Sequence, residues 1–140
     1  MNTFNLPNRY DEKKAVKGVE FPIYDDETYL GTYTLGLFNT TAPHVRVAMD
    51  RYNRIHKNER SKPRENMIRA FVEIALLGWD GVPFGPKGGD LPFSKDTAVK
   101  LLLTDHQTTN FLVDALFDFS GDVRNFRNDP EATQEEEAKN

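Results

Sequence analysis

The chain has 140 residues and a mass of 16.0 kDa, which suits one domain and excludes a second full core. Hydrophobic residues make up 38% of it and the mean hydropathy is -0.65, so we expect one modest core with part of the chain solvated or covered by a partner. The absence of cysteine excludes disulfides, thiolate zinc sites and a cysteine nucleophile.

The formal net charge of -4 is unevenly distributed along the chain. Residues 41–70 hold eight Lys or Arg against three acidic residues, whereas residues 105–140 hold nine acidic residues against three basic ones. A solvated face is the ordinary explanation of a charge run. The alternative is that the basic part of one copy meets the acidic part of another copy or of a partner.

In chain order, the first features are an arm and a hairpin. Residues 1–17 show little periodicity and predict an irregular N-terminal arm. Residues 18–38 alternate apolar residues with others and are rich in Tyr, Thr and Leu, which predicts a β-hairpin or small meander. The acidic run 25–27 supplies the turn, and Pro22 places its strand at an edge or a bulge.

Helical periodicity and capping residues predict about four helices after the hairpin. Pro43 and Pro63 suit the first turns of two of them, while Ser94 and Asp105 are predicted to cap the other two. The last helix is predicted to run straight through Gly121 because apolar residues keep helical spacing beyond it. The predicted helices cover residues 41–58, 62–78, 94–103 and 105–127.

The acidic residues after the last helix have no apolar anchor, so residues 128–140 are predicted to be a disordered acidic tail. Residues 18–127 would then form a single domain. The fold class is predicted to be α+β, mostly α, with the hairpin preceding the helices.

No catalytic or metal-binding pattern is present in the sequence. The three histidines are scattered, and no carboxylates stand at a familiar ligand spacing. The segment 85–89 resembles a phosphate loop only superficially, since Pro86 removes an amide and no strand precedes it. No serine lies in a nucleophile elbow. We therefore predict that the chain is not an enzyme and that it uses no metal and no cofactor.

Nucleic acid binding is an alternative because basic residues follow the first two helices. Glu59 in the join between these helices weighs against it, as do the missing base-reading residues at a helix end and the acidic total charge. No apolar run approaches the roughly 18 residues that span a bilayer, and the N-terminus has no signal-peptide core, so we expect a cytosolic protein without a membrane partner.

One series of short motifs resembles a known family. Leu77-Gly78-Trp79-Asp80-Gly81-Val82 is followed, after a Gly/Pro loop, by Leu91-Pro92-Phe93-Ser94 and a Leu-rich helix from Ala98 to Leu103. Their order is similar to that in tail assembly chaperones of long-tailed, siphovirus-type bacteriophages. Gly18-Val19-Glu20-Phe21, Asn125-Phe126 and the end Ala138-Lys139-Asn140 extend the resemblance over nearly the full length. The loop at 83–89 departs from the family, whose members tend to have acidic residues and a single Gly there.

The resemblance implies a chaperone that binds and solubilises the tape measure protein and helps to recruit tail tube subunits during tail morphogenesis. Such a protein would act in the host cell cytoplasm and would be absent from the mature virion. A small structural tail completion or connector protein remains an alternative with the same size and composition.

We expect self-association, with the hairpin edge or the basic first helix of one copy meeting the acidic last helix of the next. The Gly/Pro loop and exposed apolar residues would contact the client. Trp79 also has a plainer explanation as a core or lid aromatic. The candidate partner-binding residues are Arg46, Arg51, Arg54, Lys57, Trp79, Phe84, Lys87, Asp114, Asp118 and Asp122.

Overall fold

The computed structural model describes residues 4–59 and 62–128. Over these residues the chain is α+β and mostly helical, which confirms the predicted fold class. Its elements are α1 (Glu12–Lys17), β1 (Val19–Asp25), β2 (Thr28–Leu35), α2 (Pro43–Ile55), α3 (Pro63–Ile74), β3 (Leu76–Asp80), α4 (Lys95–Leu103) and α5 (Gln107–Gly121), with short 3₁₀ turns at Pro86–Gly88 and Val123–Phe126. None of the described helices is long and apolar enough to cross a membrane. The predicted tail, apart from its first residue, lies outside the described residues.

β1 and β2 form the predicted hairpin. They pair antiparallel from Val19 opposite Leu35 to Asp25 opposite Thr28, and a bulge follows Pro22. Pro22 has no N–H to give to a sheet, which explains the irregularity at this position. The turn passes through Asp26, whose φ of 54° is a conformation that Asp tolerates.

The third strand replaces the end of a predicted helix. We predicted a helix over residues 62–78, but α3 ends at Ile74 and Leu76–Asp80 pairs with β2 as an edge strand. Trp79 lies opposite Tyr33 and Gly78 lies opposite Thr34. A nearly unbroken apolar run suits a buried helix and a buried strand equally, and here the pairing with a distant strand decided the outcome.

The predicted irregular arm contains a helix. In α1 the Asp11 side chain accepts a hydrogen bond from the backbone N–H of Lys14 at 3.0 Å, and Gly18 follows the helix with a φ of 96°. These are the ordinary start and stop signals of a helix, so the prediction for residues 12–17 was wrong. The Lys14 ammonium also donates to the carbonyl oxygen of Arg127 at 2.9 Å, which ties α1 to the end of the described chain.

The last predicted helix is interrupted. α5 ends at Gly121 instead of continuing to residue 127, because Asp122 is extended and its carboxylate caps a new 3₁₀ turn. Val123 and Phe126 in this turn are still buried. The apolar residues thus keep helical spacing beyond Gly121, although the helix itself ends there. His106 rather than Asp105 caps the start of α5, whereas Ser94 caps α4 as predicted.

The main core lies between one face of the sheet and the helices α3, α4 and α5. Tyr33, Phe71 and Leu116 are among its fully buried side chains. A second, smaller core joins α1, α2 and the 3₁₀ turn that follows α5. Its buried members are Ala15, Leu37, Ala42, Val45, Val123 and Phe126. This second core holds α2 by one side only and leaves its other side exposed.

Candidate partner-binding surfaces

The four basic residues predicted on the first helix form one exposed group, which we call the basic surface: Arg46, Arg51, Arg54 and Lys57. Arg46, Arg51 and Arg54 lie on α2, whereas Lys57 lies just beyond its end at Ile55, because α2 is shorter than the predicted helix over residues 41–58. None of the four makes an ion pair with a described residue, since the ion pairs there involve only His56 and Arg124 as bases. The basic surface is therefore free to meet an acidic partner.

Asp114 and Asp118 are exposed and lie four residues apart on α5, which places them on one face of the helix. Neither makes an ion pair within residues 4–59 and 62–128. We call this pair the acidic surface. The acidic surface lies on α5, whereas the basic surface lies on and just after α2, so the two surfaces belong to different helices.

Asp122 was grouped with these acids in the sequence, but it has an internal partner. Its carboxylate lies 2.8 Å from the Arg124 guanidinium and accepts a further hydrogen bond from the backbone N–H of Arg124. The hydrogen bonds from the Arg124 side chain and backbone lower the pKa of Asp122 to about 2. Its charge is largely engaged by its own chain, which distinguishes it from Asp114 and Asp118.

Trp79 is half-buried and makes contacts both within the motif series and with β2. Its indole N–H donates to the carbonyl oxygen of Leu91 at 2.7 Å. Its ring makes edge-on contacts with Phe93 and Tyr33, at centroid distances of 4.9 and 5.9 Å. Trp79 thus fastens the far end of the Gly/Pro loop to the sheet, and we call these contacts the tryptophan clamp.

The Gly/Pro loop between β3 and α4 is compact. The backbone N–H of Gly85 donates to the carbonyl oxygen of Gly89 at 2.8 Å, and a Cβ at Gly85 would lie only 2.6 Å from that oxygen. Phe84 is half-buried and packs against the main core. Lys87 is exposed at the tip of the loop with a φ of 63°. Of the two candidates in the loop, Lys87 is exposed and Phe84 is not.

A groove that the sequence did not predict lies beside α2. It encloses about 420 Å³. Its lining residues are Ala15, Val16, Leu37, His44, Ala48, Arg51, Tyr52, Ile55, Glu73 and Ile74. Val16 and Ile55 are 58% and 61% exposed. The sequence holds a signal for the groove, because Ala48, Tyr52 and Ile55 recur at helical spacing and the second core does not extend to Ile55. We call this feature the α2 groove.

His56, which directly follows α2, lies close to two carboxylates. His56 Nδ1 lies 3.0 Å from a carboxylate oxygen of Glu59, and its Nε2 lies 4.0 Å from one of Glu73. Within the described part of the chain, no three His, Asp or Glu side chains form a group that could hold a metal ion.

The protein-family model described as YdaY prophage protein matches residues 40–140, well over half of the chain. The chain belongs to this family. It is therefore a phage-derived protein. No curated protein and no solved structure matches the chain. The YdaY family match includes the basic surface, Trp79, the loop and the acidic surface, whereas α1, β1 and β2 precede it, and with β2 the Tyr33 of the tryptophan clamp.

Proposed function

We propose that this phage-derived protein is a tail assembly chaperone that binds and solubilises the tape measure protein and helps to recruit tail tube subunits. The observation that carries the proposal is the ordered motif series from Leu77 to Ser94, which resembles those chaperones, in a chain of the YdaY prophage family. In this role the protein acts in the cytoplasm of the infected host, has no catalytic activity or cofactor, and is absent from the mature virion.

The motifs from Leu77 to Ser94 contact one another in the fold, which supports treating them together as a single family feature. Trp79 bonds to Leu91 and packs on Phe93, and Ser94 then caps α4 by accepting from the backbone N–H of Thr97 at 3.0 Å. The spacing between the motifs has a physical reason, because the loop must return Leu91 to the indole of Trp79. Several short motifs are thus parts of one structural unit.

The unpaired charged surfaces support a role in assembly. A basic surface on one copy and an acidic surface on the next would make a head-to-tail contact, which closes into a ring or continues as a spiral. Repeated copies along an extended client would gain from multivalency even if each contact were weak. Exposed apolar side chains such as Met67 and Phe111, 44% and 40% exposed, offer adaptable contacts to the client.

Co-expression with the protein encoded immediately downstream tests the proposal. A long, helical tape measure protein should be insoluble alone and soluble in a complex with this chain. A triple variant Arg46→Glu, Arg51→Glu, Arg54→Glu should rescue it less, while the control Lys100→Glu on α4 should act as the wild type does. A client that stays insoluble, or that dissolves without binding this chain, contradicts the proposal.

Mass spectrometry of purified virions separates the chaperone from the tail completion or connector protein. The chaperone should be missing from particles that contain the tail tube and tape measure proteins. Its presence at a fixed copy number per virion would instead support the structural component.

The exposed, unpaired arginines of α2 favour nucleic acid binding as the second candidate function. Binding of a short fluorescent duplex is to be measured at about 50 mM and about 200 mM salt, since phosphate contacts weaken steeply over this interval. Strong binding at low salt that is lost in the triple arginine variant would favour this function. If adding the protein at low salt does not change the signal of the fluorescent duplex, nucleic acid binding is excluded.

A further inference from the structure

Residues 4–9, the described part of the chain that leads into α1, are called the arm from here on. The arm is held by hydrogen bonding at Arg9, which we call its root, and it exposes apolar side chains toward Phe4, which we call its tip. At the root, the Arg127 guanidinium donates to the carbonyl oxygen of Arg9 at 2.8 Å, and the next residues continue into α1. At the tip, Phe4 is 72% exposed and Leu6 is 64% exposed. The fold therefore anchors the arm at one end and leaves two large apolar side chains uncovered at the other.

The sequence of the arm prepares it to bind as an extended segment. Phe4 and Leu6 are two residues apart, so in an extended chain both side chains lie on one face, about 7 Å from each other. Pro7 restricts Leu6 to extended conformations, which lowers the entropy that is lost on binding. From Arg9 the tip can reach up to about 18 Å, and residues 4–8 carry no charged side chain.

The α2 groove has the matching chemistry. Its apolar lining includes Leu37, Ala48 and Ile74, its polar lining includes Glu73 and Arg51 of the basic surface, and its volume of about 420 Å³ lies in the range of pockets that hold small ligands. Val16 and Ile55 add uncovered apolar surface. One chain thus carries both an uncovered segment with two large apolar side chains and two Asn, and a groove with apolar and polar lining that can receive them.

We infer that the arm of one copy docks in the α2 groove of a second copy. The arm does not lie in its own groove, because Phe4 and Leu6 are exposed. A contact between two different parts of the chain is head-to-tail, so each copy can give one arm and receive another. This inference rests on the self-association proposed above and names an apolar contact that acts beside the charged one.

The charged contact and the arm contact can be distinguished by how each depends on ionic strength. The charged contact weakens as salt rises, whereas burial of Phe4 and Leu6 does not. Sedimentation at about 50 mM and about 500 mM salt should show association that persists at the higher salt. A wild-type protein that is monomeric at high salt overturns the arm contact but leaves the proposed chaperone function standing.

Two variants test the two partners of the contact. The arm variant Phe4→Asp, Leu6→Asp and the groove variant Ile55→Asp should each weaken high-salt association at least about tenfold, which corresponds to 1.4 kcal/mol. Val47→Asp is the matched control, because Val47 lies on the same helix, is 65% exposed and does not line the groove. All the substituted side chains are exposed, and unchanged thermal unfolding would show that the variants fold.

Mixing the arm variant with the groove variant gives the decisive result. The arm variant keeps an intact groove and the groove variant keeps an intact arm, so the mixture should form one-to-one dimers at high salt and nothing larger. Two variants that stay monomeric when mixed overturn the inference, as does a Val47→Asp control that loses association as Ile55→Asp does. A wild-type protein that associates at high salt but does not bind the tape measure protein would instead count against the proposed function alone.

Discussion

Tyr33, in the middle of β2, has none of its surface exposed, and its hydroxyl donates to the carbonyl oxygen of Leu30 at 2.8 Å. Burial raises the pKa of Tyr33 well above its ordinary value of about 10, because an ionised phenol would lose its hydration. A raised pKa in the folded state means that this group contributes stability which is full below about pH 10 and is lost as the pH rises further.

Replacement of Tyr33 by Phe should therefore have a pH-dependent effect. Near pH 7 the variant should be less stable by about 1–2 kcal/mol, since it loses the hydrogen bond to Leu30. Near pH 11 the difference should shrink, because the variant has no buried phenol to ionise. Urea unfolding at the two pH values measures the difference in free energy of unfolding between the wild type and the variant. Tyr24→Phe is the control because Tyr24 is 56% exposed. A difference that is equal at both pH values would contradict the assignment.

The sequence predicts whether a single residue of the candidate site is exposed where that residue lies on a helix with one apolar side. Arg46 and Asp118 follow directly from which side of a helix is apolar. The engagement of Asp122 by Arg124 was not predictable, because it depends on the helix ending at Gly121. The role of Trp79 was open for a similar reason, since its hydrogen-bond partner is twelve residues away across a loop.

Among the elements, α3 ends against a lysine from another helix. The Lys95 ammonium donates to the carbonyl oxygens of Val72 and Leu76, both at 2.6 Å, and to that of Glu73 at 3.4 Å. Burial lowers the pKa of Lys95, and the nearby carboxylate of Glu73 acts in the opposite direction. Lys95 thus satisfies the carbonyl groups that are left free where α3 turns into β3.

Replacement of Lys95 by Met keeps the length of the side chain and removes these hydrogen bonds. We expect a loss of about 1 kcal/mol in the free energy of unfolding, at the low end for a charged donor because Lys95 is partly solvated. Urea unfolding is the measurement. Lys100→Met on the same helix is the control, and equal losses in the two variants would show that the α3 end does not depend on Lys95.

The tryptophan clamp makes a prediction about the Gly/Pro loop. Trp79→Phe keeps a ring in the core but cannot donate to Leu91, so the loop should open more often. Trypsin should then cleave after the exposed Lys87 several-fold faster than in the wild type, as followed by mass spectrometry of the fragments. Cleavage after Arg46 on α2 provides the internal control. Equal acceleration at both sites would indicate global destabilisation instead of loop opening.

The elements that the sequence predicted well are those with local signals. The hairpin has its acidic turn and α4 has its serine cap, and both are found where they were expected. The helix α1 had equally local signals in Asp11 and Gly18, which were overlooked. The strand β3 had none, because its partner β2 lies more than forty residues earlier and only the tertiary pairing separates a strand from a helix here.

For the whole molecule, the separation of charge is the property that most concerns its assembly. The basic surface and the acidic surface on α5 have no ion pairs within the described chain, and Asp50, four residues from both Arg46 and Arg54, offsets only part of the basic charge. Each surface therefore keeps a net charge after folding. Like charges within each surface repel one another, and a partner of opposite sign relieves that repulsion. Copies of this chain supply such a partner to each other.

Charge reversal should therefore abolish and restore this contact. Arg46→Glu, Arg51→Glu, Arg54→Glu in one variant, and Asp114→Lys, Asp118→Lys in a second, should each reduce self-association at about 50 mM salt by roughly tenfold or more. An equimolar mixture should recover association at low salt, because the native acidic α5 of the first variant meets the native basic α2 of the second. The reversed α2 of the first variant and the reversed α5 of the second make a further complementary contact, so copies of the two variants can alternate in the assembly.

A single protein that carries both reversals is the stronger test. Its reversed α2 is acidic and its reversed α5 is basic, so the complementary contact exists again with the opposite polarity, and association should return at low salt. Sedimentation equilibrium of the two variants, their mixture and the combined variant measures all four cases. If the combined variant stays as weak as the single reversals while its thermal unfolding is unchanged, these two surfaces do not meet in the assembly.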